Sequence, residues 1–340
     1  MADGLQANIE GNLALLRGKP WERCEAPPEA QNFPSMLSKQ ERNLLNWLAK
    51  DYWTGAGEIV DAGCFLGGST VSFATGLRDR GAPTPARRSL WSRLTGAKPA
   101  VPAAAPPPAN PRLHAFDMFI IDHQFMLDYW GKVLEGVPLN GGSRKVFDQL
   151  TADYRPYFNV NHGDITKIGW TGKPIEVLFL DVLKTSEVND AVLRDFLPSI
   201  IPGRTVLIQQ DYVHEWLPWI HVTMEILHDH FEYLDWMPYA TTVYLHTKPI
   251  PASTIAACRW DAIPNAEKLR LMDRAIARFD GLPRGLIDCA KGVLLEEIKG
   301  VDAALLHWRQ CGRTYAGLRQ VTTAAEKLAE HYAQQQRRAA

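Results

Sequence analysis

This sequence predicts an α/β chain whose sheet is doubly wound, mostly parallel, and finished at one edge by an antiparallel pair. Three observations carry that prediction. Between residues 58 and 208, short apolar segments alternate with segments of helical period, the arrangement that gives a parallel sheet covered on both faces. Two of these segments, "EVLFL" (176–180) and "TVLIQ" (205–209), are apolar almost throughout, as strands buried on both sides must be. Beyond them, "FEYLDWM" and "TTVYLHTK" lie close enough in the chain to form a hairpin, which an ordinary dinucleotide-binding sheet lacks.

The elements follow in order. In "SMLSKQERNLLNWLAKDYWTG", Ser38 followed three residues later by Glu41 is a capping-box pattern, and Leu44, Leu45, Leu48 and Trp53 continue at helical spacing until Gly55 stops it. A strand is expected at 58–62, then glycines and a helix over 69–78, a strand at 113–116, and a helix beginning near Phe125. Strands at 158–161 and 175–180, a helix at 187–197 and a strand at 205–208 complete the alternation. "PWIHVTMEILHDHF" has helical spacing and precedes the hairpin. From Asn265 onward the chain is helical by period, broken by Gly and Pro. Residues 82–111 are rich in Pro and Ala, cannot build a core, and read as a mobile surface insertion. The expected division is an N-terminal helical segment (1–56), a sheet domain (57–250) carrying that insertion, and a C-terminal helical extension (251–340) suited to contact between copies of the chain.

The 340 residues include 37 basic and 38 acidic ones, so no broad field would draw nucleic acid or anionic lipid, and a small-molecule partner is expected. Cys24, Cys64, Cys258, Cys289 and Cys311 are odd in number, scattered and without CxxC spacing, which predicts free thiols in a reducing compartment. "MADGLQANIEGNLALL" has acids where a signal peptide has lysines, and no run approaches about 18 apolar residues. A soluble, cytoplasmic protein with no membrane contact is the expectation.

The stretch "GEIVDAGCFLGGSTVSF" (57–73) reads as a buried strand entering a glycine turn and a helix, a place where backbone can approach a ligand. A nucleoside triphosphate would want GxxxxGK[ST], and no lysine stands in the right place. A dinucleotide would want GxGxxG, but Cys64 and Phe65 follow Gly63, so a nicotinamide oxidoreductase is disfavoured. S-adenosylmethionine, which has no phosphate, remains. "VDAGCFLGGST" resembles the acid-and-glycine signature of class I S-adenosylmethionine-dependent methyltransferases, whose fold is Rossmann-like. The resemblance implies that Asp61 lies near the methionine amino group and that Gly63, Gly67, Gly68 and Ser69 lie along the cofactor; the other reading is a tight turn whose glycines serve packing alone. An acid closing the second strand would accept from the ribose hydroxyls roughly 20 residues after the turn; Asp117 stands about 30 residues late, and the insertion accounts for the difference. Asp164, in "NHGDI", resembles the polar residue beside the adenine amine; the other reading is a turn-forming Gly-Asp pair.

Over residues 35–247 the chain also resembles the macrocin O-methyltransferase-like group, which methylates sugars and other small molecules. In that group strand-end acids hold a magnesium ion that binds the acceptor hydroxyl, and a histidine is the base. Asp181, in "LFLDVLKTSEV", and Asp211, in "VLIQQDYVHEW", match. Leu183 replaces an acid, Lys184 the histidine, and Gln210 the first acid of a pair. Asp181, Gln210 and Asp211 are therefore the candidate metal ligands, with too little negative charge to hold magnesium firmly. Lys184 could instead supply the positive charge, leaving Asp181, Lys184 and His214 as the catalytic candidates, with His214 as base. The bland reading of Lys184 is a salt bridge that ties down its loop. Trp216 and Trp219 would suit a sugar or glycoside acceptor or simply pack beneath a helix, and His221 reads as structural. The expected function is O-methylation of a sugar-containing or other small metabolite. The alternative is a non-catalytic, cofactor-binding regulatory or scaffold protein.

Overall fold

A computed structural model describes residues 2–80, 110–121, 123–137 and 142–339. Among them are seven strands: β1 Glu58–Ala62, β2 Leu113–Asp117, β3 Phe158–His162, β4 Ile175–Leu180, β5 Val206–Gln209, β6 Phe231–Trp236 and β7 Thr242–His246. They form one sheet in the order β3-β2-β1-β4-β5-β7-β6. β1 pairs in parallel with β2 and β4, β2 pairs in parallel with β3, and β6 and β7 pair antiparallel at one edge. Every residue of β1, β4 and β5 is buried, while β6 mixes buried and open positions, as an edge strand must. The predicted fold class is the observed one. Because the chain runs outward through β2 and β3 and then returns to β4, the switch point lies between β1 and β4, where such sheets place ligands beyond the strands' carboxyl ends.

Local chemistry explains the boundaries. The capping box forms as expected: Ser38 Oγ accepts from Glu41 N at 3.2 Å and Glu41 Oε2 accepts from Ser38 N at 2.6 Å. The helix ends at Trp47, however, and the predicted continuation is a π-helical turn, Leu48–Tyr52. The helix expected over 187–197 is Ser186–Phe196, stopped by Pro198 in a 3-10 turn, Leu197–Ser199. The one expected in "PWIHVTMEILHDHF" stops at Ile226, since Phe231 is already in β6. Of the predicted Pro/Ala insertion, 82–109 lies outside the described residues.

Two compact units divide the chain: Met1–Asp181 with Gly203–Leu207, and Val182–Pro202 with Ile208–Ala340. In the first unit, the Lys39–Trp47 and Gly68–Arg78 helices meet at Gly76, where a Cβ would come within 2.3 Å of the Asn46 carbonyl oxygen. The amino end of β4 is anchored by Glu176, fully buried, which accepts from Thr54 N at 2.7 Å and Gly57 N at 3.2 Å and pairs with Arg204 at 2.6 Å. In the second unit the helices Asn265–Ala277, Gly281–Lys299, Val301–Thr314 and Arg319–Ala339 make up most of the predicted helical extension.

Candidate functional site

In the first unit the end of β1 and the turn after it bring the predicted cofactor residues together. Gly63 (φ 96°) and Gly67 (φ 100°) adopt left-handed backbone, and so does Phe65 (φ 47°), where a side chain makes that conformation unfavourable. The space left by the missing side chains is taken by this unit's own atoms. A Cβ on Gly63 would stand 2.2 Å from the Asp181 carbonyl oxygen, one on Gly67 2.5 Å from Thr151, and one on Gly68 2.2 Å from Ser35 Oγ. Close packing therefore requires all three glycines. Ser69 is buried in the first turn of the helix that follows.

Asp61 is fully buried. Its Oδ2 accepts from the Thr70 hydroxyl at 2.5 Å, and its Oδ1, also buried, has no hydrogen-bond partner among the described residues. Burial pushes this carboxyl up to about 6, opposed by the Thr70 and Ser69 hydroxyls and reinforced by the charge of Asp117. Two acids 56 positions apart in sequence thus act on each other at one turn. Asp117, at the end of β2, accepts from Phe65 N at 2.7 Å through Oδ2 and from Phe119 N at 2.6 Å through Oδ1. Burial raises its pKa, and the two amide bonds and His162 oppose the shift. Each bond uses one of the lone-pair positions on its oxygen, and the side chain stays partly open. Both donors are residues with positive φ, so Asp117 holds the two strained turns in place. Met118 and Ile120, exposed at 48% and 55%, flank this end of β2; sequence reasoning passed over them because an apolar residue after a strand reads as core.

Asp164 is the N-cap of the short Ile165–Ile168 helix and accepts from Thr166 N at 3.0 Å and Thr166 Oγ1 at 2.7 Å. Those bonds, with Lys167 at 3.1 Å, hold its carboxyl below the usual range. Asp181 follows β4 directly, and its N–H donates to the Ala62 carbonyl at 2.7 Å, zipping the ends of β1 and β4.

In the second unit the Lys184 ammonium pairs with Oδ2 of Asp211, which is buried. Gln210 Oε1 accepts from the Thr241 hydroxyl at 2.7 Å. Two of the three donors expected to hold magnesium are thus engaged by a cation and a hydroxyl. They do not fit a resident hard cation, which wants several free oxygens. His214 is partly exposed: its Nδ1 accepts from Trp216 N at 3.3 Å and lies 3.6 Å from Glu215 Oε2. A lone pair used at Nδ1 puts the neutral ring's proton on Nε2, making that nitrogen a donor. Passing the Nδ1 contact to Glu215 reverses the tautomer and frees Nε2 to act as base. Glu215 was missed in the sequence because nothing in its spacing marks it.

The aromatic residues after β5 mostly pack. Trp216 stacks on Tyr332 with ring centroids 6.1 Å apart, and Trp219 Nε1 donates to the Leu183 carbonyl at 2.8 Å. His221 is fully buried with Nε2 at 2.5 Å from the Tyr212 carbonyl, and burial lowers its pKa to about 4. A cavity of about 230 Å³ lined by Tyr212, Tyr233, Tyr244 and Phe279 falls below the roughly 300–1,000 Å³ of ligand sites. Its acid, Glu225, is already paired with Arg278.

No protein-family model and no curated protein matches the chain. Solved structures similar to it include two of the protein CalS11. One is CalS11, described as a calicheamicin methyltransferase: 17% identical, covering 70% of this chain and 92% of that chain, with a TM-score of 0.38. The other is the apo structure of CalS11, described as a TDP-rhamnose 3'-O-methyltransferase of calicheamicin biosynthesis: 17% identical, covering 70% and 94%, with a TM-score of 0.39. Likeness of that size leaves the activity to be argued from the residues. Among the described residues, no helix is long and apolar enough to cross a membrane.

Proposed function

We propose that this chain is an S-adenosylmethionine-dependent methyltransferase acting on a hydroxyl oxygen of a small, sugar-containing or related metabolite. The observation that carries the reading is the convergence of Asp61 and Asp117 on one glycine turn, with a buried Asp61 oxygen left unpartnered. Two carboxylates disfavour a pyrophosphate and favour a ligand that brings positive charge and donors. An ammonium and a pair of ribose hydroxyls answer both needs. When bound, the cofactor supplies a methyl group activated by its sulfonium.

The chain's own residues do the rest. Asp61 compensates the ligand's charge, and the open lone pairs of Asp117 accept from the sugar. Met118 and Ile120 offer apolar surface beside it for a flat base. Methyl transfer needs alignment above all, and removal of one proton when the nucleophile is a hydroxyl. Lys184 holds Asp211 and supplies a fixed positive charge. His214, oriented by Glu215, takes the acceptor's proton at Nε2, and Asp181 is the nearby strand-end acid in sequence.

A second reading, a non-catalytic cofactor binder, is favoured by the internal engagement of Asp211 and Gln210. Calorimetric titration tests both: heat with S-adenosylmethionine and none with NADH is expected, and silence with the former ends both readings. Methyl release with a panel of glycosides then separates them, and it is expected to proceed undiminished in EDTA.

A further inference from the structure

Asp288, His307 and Cys311 meet within the second unit. The helices that carry them, Gly281–Lys299 and Val301–Thr314, turn back at Gly300 (φ 85°) and touch closely. A Cβ on Gly292 would stand 2.1 Å from Trp308 Nε1, and that indole donates to the Cys289 carbonyl at 2.9 Å. His307 and Cys311 are four residues apart, so they share one face of their helix, and that face meets Asp288 on the other.

One donor atom from each of the three residues lies within 4.8 Å of the others. His307 Nε2 is 3.5 Å from Cys311 Sγ, 3.2 Å from Asp288 Oδ1 and 2.9 Å from the Asp288 carbonyl oxygen, a contact that the ion would displace. The second carboxylate oxygen is fixed by the Tyr315 hydroxyl, which donates to Oδ2 at 3.0 Å. Cys311 is buried, while the His307 and Asp288 side chains are 18% and 20% exposed and leave a way in from solvent.

A thiol, an imidazole and a carboxylate in contact also describe a nucleophile with its base. In such a relay the acid holds one ring nitrogen and the thiol faces the other. Here a single nitrogen, Nε2, faces both, and the thiol is buried away from any substrate. Atoms that converge on one point suit a shared ligand instead.

We propose that Asp288, His307 and Cys311 bind a zinc ion that clasps the two helices. The donor set, one sulfur, one nitrogen and one oxygen, is that of zinc rather than magnesium or calcium, and the fourth tetrahedral position is left to water. On binding, the thiol proton of Cys311 leaves to solvent, and His307 ligates through Nε2 as the neutral ring, its one remaining proton on Nδ1. Tyr315 orients the carboxylate ligand from outside.

Cobalt, which takes the same ligands and is coloured, is the probe. Metal-free, full-length protein titrated with Co²⁺ is expected to bind one equivalent, show thiolate-to-cobalt charge-transfer absorption, and lose it on addition of Zn²⁺. Cys311→Ser should abolish that absorption with unchanged far-ultraviolet circular dichroism, and Cys258→Ser, elsewhere in the unit, should retain it. Tyr315→Phe, which removes no ligand, should weaken cobalt binding roughly 10- to 100-fold. No charge-transfer band in the wild type, or a band that survives in Cys311→Ser, overturns the site. The first of these outcomes does not depend on any variant folding.

Discussion

The turn after β1 and the turn after β5 each hold a buried carboxylate, yet they neutralise it by opposite means. At the first, the groups acting on Asp61 are two hydroxyls and a second carboxylate, and one oxygen has no partner. At the second, Asp211 is met by the Lys184 ammonium. The first arrangement makes ionisation of the acid costly, a cost that a cationic ligand offsets. The second satisfies the acid in advance and leaves little for a metal to gain. One turn is built to receive charge, and the other carries its own.

The largest expected effect comes from closing the first turn. Gly63→Ala would place a methyl 2.2 Å from the Asp181 carbonyl at a φ of 96°, so backbone must move. A loss of about 3–5 kcal/mol is expected, read as a fall in the urea midpoint at unchanged slope. Next comes pH. Asp61 titrates near 6 in the folded chain against an ordinary 3.8, so between those values the folded state holds the extra proton. Its contribution is complete below pH 3.8 and is lost as pH rises through 6, about 3 kcal/mol in all. Asp61→Asn should flatten stability over that window. Cofactor binding should run the other way in the wild type, tightening as pH rises through 6, because a cationic ligand wants the ionised acid.

Much of this was legible in the sequence, for reasons that can be named. Periodicity and apolar runs gave the strands within a residue or so, since β1, β4 and β5 are buried on both faces and could read no other way. Spacing found Asp117 once the Pro/Ala stretch was discounted. What escaped was whatever depends on contact between distant residues. Nothing in "VDAGCFLGGST" shows that Ser35, Thr151 and Asp181 press against its glycines, or that the N–H of Phe65 uses part of Asp117. Asp164 reads in sequence both as a residue beside the base and as part of a turn-forming Gly-Asp pair, and its Thr166 bonds could not be read from spacing. Glu215 had no motif to announce it.

The two remaining predictions address the second turn. Lys184 is 47% exposed at its side chain, so removing it should shift stability little, by about 0–1 kcal/mol after solvent screening. If its charge serves the reaction, Lys184→Ala should lower turnover roughly 100-fold with cofactor affinity unchanged. Unaltered turnover would reduce the ion pair to a tie for its loop. Glu215→Gln should act more gently, since it removes a group that orients the base rather than the base. A fall in kcat of roughly 10-fold with KM unchanged is expected, because the ring is no longer held with Nε2 free to take the proton. A merely structural glutamate would leave kcat where it was, and the Nδ1 lone pair would then belong to the Trp216 amide throughout, removing His214 as the base.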